Sequence, residues 1–167
     1  MEHNTLFKLV YTFILGIVIA LLFGVGIAAF YEAPKPPEYS VPASYYKDTG
    51  PTPEELKVQQ AQQQQYDTEM KAFNKDRSSY EKNVSIVLLS LAVLSVVVAF
   101  VVTKRLGFLS DGILLGGLLT LLHGLMRGFS ADDNKYLFVA TLVSVVVVLY
   151  LGYRRFLNQP KMHRSKK

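Results

Sequence analysis

One stretch of the chain, from Pro53 to Leu106, constrains the fold more than any other. It contains no glycine and no second proline, the residues that most often break a helix. A helix start signal precedes it: Thr52 can cap the first turn, Pro53 suits the first helical position, and Glu55 can bond back to the cap. The stretch opens with polar residues and closes with an apolar run at 84–103. We therefore predict one long helix that extends out of a membrane, either straight or kinked near 74–79.

Three other apolar segments accompany this run. The segment at 9–30 carries no charge and would form about 33 Å of helix, which is enough to cross a bilayer. The others lie at 110–128 and 136–153. The sequence therefore predicts an all-α integral membrane protein, a bundle of four transmembrane helices whose second helix extends into the outer aqueous space.

Two of the segments allow an alternative. Gly26 to Ala28 resembles the small-residue cleavage site of a signal peptide, but the apolar run before it is longer than the usual ~7–15 residues. The apolar centre of the third segment, between Asp111 and Arg127, is short for a crossing, so a re-entrant segment is the other interpretation. We prefer a membrane helix in both cases.

The distribution of lysine and arginine predicts the orientation. With both termini cytoplasmic, the N-terminus at 1–8 and the basic tail at 154–167 lie inside, and the Pro/Tyr-rich segment and polar helix at 31–83 lie outside. The two dense clusters of basic residues, at 104–105 and at 154–167, then both lie inside, as the positive-inside rule requires. We expect a multi-pass protein of a bacterial or archaeal plasma membrane. Its net charge of +5 is explained by contact of basic residues with anionic lipid headgroups of the bilayer, so we expect no nucleic-acid partner. The residues expected at lipid headgroups are Lys104, Arg105, Arg154 and Arg155.

Small residues recur at every fourth position in the first and third segments. Residues four apart lie on nearly the same helix face, and small side chains there let two helices approach closely in lipid. We predict that both rows are helix-packing seams. Their members are Gly16, Ala20, Gly24 and Ala28 in the first segment, and Gly112, Gly116, Thr120, Gly124 and Gly128 in the third.

Three polar residues fall within or beside the third segment: Asp111, His123 and Arg127. Charged groups in a membrane are costly and often functional, so His123 could serve a polar path or a proton-sensitive gate. The structural interpretation, which we favour, has His123 bonding to a neighbouring helix and Arg127 extending to the headgroups.

Several classes of chemistry have no support in the sequence. The chain has no cysteine, and its three histidines are scattered, so we predict neither a metal site nor a cofactor. No nucleophile elbow, phosphate-binding glycine loop or pair of intramembrane carboxylates occurs, so we predict no catalytic residues and no enzyme.

The polar part of the long helix carries an apolar stripe with coiled-coil-like spacing, made of Tyr66, Met70, Phe73 and Tyr80. Either the chain's own segment at 31–46 covers this stripe, or a partner does, which would be another protein or a second copy in a homo-oligomer. We expect a non-enzymatic interaction or assembly factor that binds its partner through this helix. The alternative is a small oligomeric channel or transporter that uses the glycine-rich helices and His123.

Overall fold

The computed structural model describes residues 2–38, 52–103 and 107–154. This part of the chain forms four helices and no strand: α1 (Glu2–Phe30), α2 (Pro53–Val102), α3 (Gly107–Phe129) and α4 (Asn134–Gly152). Each helix contains a stretch long and apolar enough to cross a membrane. The prediction of an all-α protein with four candidate membrane helices is therefore confirmed.

The long second helix exists, and it begins where the sequence places its start. The amide of Glu55 donates to Thr52 Oγ1 at 3.3 Å, and the amide of Thr52 donates to Glu55 Oε2 at 2.8 Å. This reciprocal pair is a capping box, and Pro53 occupies the first turn as expected. From there α2 runs without interruption for 50 residues, about 75 Å, and passes through residues 74–79 as helix.

Helix α3 is longer than its apolar centre. It has 23 residues, about 34 Å of helix, because turns rich in small and polar residues extend it at both ends. That length matches a hydrocarbon core about 30 Å thick. The helix is continuous, whereas a re-entrant segment would need a break at which the chain turns back.

Helix α3 lies at the centre of the bundle. It packs most extensively against α2, then against α1, and less against α4, while α1 and α2 contact each other only lightly. One core cluster joins α2, α3 and α4 and consists of Leu89, Ala92, Leu121 and Ala140. A second cluster joins the middle of α2 to α1 and consists of Tyr80, Val84 and Leu88, with Phe23 and Ile27 packed against them.

The glycines explain why α3 can occupy the centre. A Cβ at Gly116 would lie 2.8 Å from Cβ of Ile19 in α1, and a Cβ at Gly124 would lie 3.1 Å from Cβ of Leu88 in α2. Four residues advance a helix face by about 40° beyond a full turn, so a row of small residues spirals round the helix. The row in α3 therefore starts against α1 at Gly112 and ends against α2 at Gly128.

Candidate functional site

The first 25 residues of α2, from Pro53 to Arg77, form what we call the projecting segment, about 37 Å long. Every buried side chain of α2 lies at Tyr80 or beyond it, so the projecting segment contains none. Its neighbours in the bundle stop at its base, where the Ser78 hydroxyl donates to the carbonyl of Ala131, just after α3. The segment therefore continues α2 past the end of the packed helices.

The predicted partner-binding stripe divides into two parts. Tyr66, Met70 and Phe73 lie on the projecting segment and are half-buried. Tyr80 is buried at the base, where its ring stacks on Tyr31 at a centroid distance of 4.9 Å and its hydroxyl donates to the Tyr31 carbonyl at 3.3 Å.

Tyr80 therefore packs within its own chain, whereas Tyr66, Met70 and Phe73 lie further along the projecting segment and away from the bundle. Of the two alternatives for covering the stripe, cover by the chain's own segment is seen at Tyr80, on which Tyr31 stacks. Residues 39–46 lie outside the described residues.

An ion pair joins α2 to α3 at the residue that follows Tyr80. Arg127 Nη1 donates to both carboxylate oxygens of Glu81, at 2.9 and 3.0 Å. The Glu81 side chain is only 8% exposed and that of Arg127 is 37% exposed. A carboxylate buried to this degree needs a cation, because burying an unpaired charge is very costly. Arg127 therefore forms an ion pair across the helix interface, and the expectation that its side chain also extends to the headgroups stays a prediction.

A second ion pair joins α2 to the start of α4. Lys82 Nζ donates to Asp133 Oδ2 at 2.7 Å, and Asp133 Oδ1 accepts from the Tyr136 amide as the N-cap of α4. These bonds from Lys82 and Tyr136 hold the pKa of Asp133 below its ordinary value of 3.8. The charged form is thus favoured by folding. The resulting stability is present above pH 3.8 and is lost as the pH falls through the lowered pKa.

A buried hydroxyl network completes the base of the projecting segment. The Ser85 side chain is fully buried and donates to the carbonyl of Gly124 at 2.6 Å, while the Tyr136 hydroxyl bonds to Ser85 Oγ at 2.7 Å. We call the whole set the polar collar; its members are Tyr31, Ser78, Tyr80, Glu81, Lys82, Ser85, Arg127, Asp133 and Tyr136. The collar joins α2 to the other three helices or to the segments beside them, and so fixes the direction in which the projecting segment leaves the bundle.

The other predicted polar residues lie away from the collar. His123 is half-buried against Gly24 of α1, in a shallow apolar groove that also contains Ala20 and Ala28. Among the described residues its imidazole has no hydrogen-bond partner, so the bond to a neighbouring helix that we expected is not formed there. Asp111 lies at the opposite end of α3, beside Thr12 of α1. The two residues do not form a shared site.

Of the four predicted headgroup residues, only Arg154 falls within the described part of the chain. Its guanidinium lies 4.3 Å from the ring centroid of Phe100, and its Nη1 donates to the Tyr150 hydroxyl at 3.2 Å. Lys104, Arg105 and Arg155 lie outside the described residues.

Most residues of the polar collar were not predicted from the sequence. Glu81 and Arg127 are 46 residues apart, and neither lies in a motif. A signal did exist: the two charges of opposite sign lie beside the ends of consecutive apolar runs, where antiparallel helices bring them to the same depth. Gly117, whose Cβ would lie 3.3 Å from the Ala92 carbonyl oxygen, was also missed because it lies outside the four-residue row.

Comparison of the chain with protein-family models, with curated proteins and with solved structures finds no match.

Proposed function

We propose that the protein is a non-enzymatic multipass membrane protein that acts as an interaction or assembly factor through the projecting segment of α2. The observation that carries the proposal is a segment of about 37 Å with no buried side chain, whose base is held by two ion pairs. A partner can dock on such a segment without disturbing the packed helices.

The projecting segment is built to remain helical outside the bundle. It extends a helix that is already folded, so it avoids the nucleation cost that makes isolated short helices marginal in water. The capping box stabilises its free end. Hydrogen bonds one turn apart add support on the surface, from Gln63 to Asp67 at 3.2 Å and from Gln65 to Glu69 at 2.9 Å.

The partner surface in this proposal is the half-buried stripe of Tyr66, Met70 and Phe73. Full burial of an exposed large apolar side chain contributes roughly 1.5–3 kcal/mol, so completing the burial of a half-buried one contributes roughly half of that. The spacing suits a second helix, either of another membrane protein or of a second copy. In the predicted topology this docking takes place outside the plasma membrane.

The channel or transporter alternative has less support. A permeation path needs polar groups that are free to face it, and the buried hydroxyls of the helices are already bonded. Ser95, Thr120 and Ser144 each donate to a carbonyl of their own helix, at 2.8–2.9 Å. In the described part of the chain no buried side-chain nitrogen or oxygen lacks a hydrogen-bond partner.

The test of the docking proposal is crosslinking in intact membranes from a photoreactive residue placed at the exposed Leu56. We expect discrete crosslinked species that disappear in the double variant Tyr66→Ala with Phe73→Ala. The melting temperature of the purified variant should barely change. The matched control, Gln64→Ala with Lys75→Ala, alters the opposite helix face and should keep the crosslinks.

Two results would contradict the proposal. One is an unchanged crosslinking pattern in the stripe variant. The other is a clear drop in its melting temperature without any crosslinked species in the parent, which would show that the chain itself covers the stripe.

A further inference from the structure

An apolar cavity of about 540 Å³ lies at the end of the bundle opposite the polar collar. It exists because α1 and α4 both pack on α3 without forming a packed interface with each other. All four helices contribute to its walls, among them Phe13 of α1, Phe100 of α2, Leu118 of α3 and Leu151 of α4. Its volume falls within the ~300–1,000 Å³ typical of ligand sites.

Polar and charged residues lie at one edge of this cavity, which we call its mouth. A neighbouring groove of about 480 Å³ shares Leu9, Thr12 and Asp111 with the cavity and adds Lys8. Arg154 lies over the ring of Phe100, which is one of the cavity walls. Among the described residues, two cations, Lys8 and Arg154, therefore lie beside the cavity, and one carboxylate, Asp111, lines it, so these three carry a net charge of +1.

We propose that the cavity binds one acyl chain of an anionic phospholipid, with the lipid phosphate held at the mouth by Lys8 and Arg154. The apolar walls match a hydrocarbon chain, and the net positive mouth matches a negatively charged headgroup. This site is separate from the docking segment at the other end of α2, so it stands independently of the proposed function.

The charge beside the cavity favours a lipid over a helix of a second copy as the occupant. Apolar walls alone would suit either one, but Lys8 and Arg154 suit a phosphate group. A flexible acyl chain is narrow enough to enter between four helices. The walls offer few polar groups to hold water, which needs two to four polar partners.

The chain contains no tryptophan, so a single introduced tryptophan can report lipid contact by fluorescence. Phe100→Trp places the reporter in the cavity wall and keeps an aromatic ring beneath Arg154. The matched control is Val101→Trp, the next residue, which is 71% exposed and therefore faces bulk lipid at the same depth. Both chains are reconstituted in phosphatidylcholine vesicles with increasing fractions of phosphatidylglycerol carrying brominated acyl chains, which quench tryptophan on contact.

We expect half-maximal quenching of Phe100→Trp at a mole fraction of brominated phosphatidylglycerol at least about three times lower than for Val101→Trp. One net positive charge near an anionic headgroup corresponds to roughly fivefold enrichment. Adding Lys8→Gln and Arg154→Gln should abolish this preference. Brominated phosphatidylcholine should quench both reporters equally.

Salt gives a second measurement that needs no charge variant. Because Lys8 and the mouth are exposed, the preference of Phe100→Trp should shrink as ionic strength rises. The proposal is overturned if the two reporters quench at the same mole fraction. It is also overturned if the preference survives both charge substitutions, or if it is independent of salt.

Discussion

At the scale of single residues, neighbouring glycines of α3 serve different interfaces. Gly116 lies against Ile19 of α1, whereas Gly117 lies against Ser95 and the Ala92 carbonyl of α2. Consecutive positions on a helix are about 100° apart, so two adjacent small residues open two of its faces at once. This is how one helix packs closely against two others in a medium that provides no hydrophobic drive for association.

The first prediction concerns Gly116→Ala. The new Cβ would lie 2.8 Å from Cβ of Ile19 and 3.1 Å from the Gly16 carbonyl oxygen, so one helix must move. We expect a loss of about 1–3 kcal/mol in the free energy of unfolding, measured in detergent micelles, as is typical of overpacking. Gly26→Ala is the matched control, since nothing lies within 4 Å of its Cβ, and it should be neutral or stabilising by up to about 1 kcal/mol. Equal tolerance of both changes would show that Gly116 does not form a packed seam.

At the scale of elements, α2 combines two environments in one helix. Local signals made most of this helix predictable: the capping box spans four residues, and the apolar run at 84–103 can be read directly from composition. The collar could not be predicted in the same way. Its bonds join residues about 50 positions apart, and their existence depends on which helices are neighbours and at what rotation, which a single sequence does not encode locally.

The second prediction tests the anchor of α2. Arg127→Gln leaves the Glu81 carboxylate buried without its cation, so the variant should unfold more easily. We expect a loss of about 2 kcal/mol, smaller than the ~3–5 kcal/mol of a fully buried pair because Arg127 is 37% exposed. The measurement is thermal or chemical unfolding in micelles.

The double variant Glu81→Gln with Arg127→Gln provides the control for this pair. It removes both charges, so it should recover part of the stability lost in Arg127→Gln. The coupling between the two side chains is the loss in the double variant minus the sum of the losses in Arg127→Gln alone and Glu81→Gln alone. Strictly additive losses would mean that the ion pair does not anchor the helix.

At the scale of the whole molecule, the four helices alternate in direction. The starts of α1 and α3 and the ends of α2 and α4 therefore lie at the same end of the bundle. Tyr11 of α1 packs edge-on against Phe108 at the start of α3, and Phe100 near the end of α2 packs against Tyr150 near the end of α4. The collar lies at the opposite end. Once the helices are placed across a membrane, only two orientations are possible: the collar end faces either the outside or the cytoplasm.

The lysine and arginine clusters make that choice predictable. In the sequence, Lys104 and Arg105 follow the end of α2, and Arg154 and the basic tail follow the end of α4. Both helices end on the side of the bundle away from the projecting segment. Basic residues close to membrane helices favour the cytoplasmic side. We therefore predict that the projecting segment and the α3–α4 loop are outside, and that the basic tail is inside.

The third prediction measures this orientation directly. The chain has no cysteine, so each introduced one is the single reactive thiol. Gln62→Cys in the projecting segment and Ser130→Cys in the exposed α3–α4 loop should react with a membrane-impermeant maleimide added to intact cells. Ser165→Cys in the tail should react only after the membrane is permeabilised, which also controls for thiol reactivity. Labelling of Ser165→Cys in intact cells, with Gln62→Cys protected, would reverse the orientation and put the docking helix in the cytoplasm.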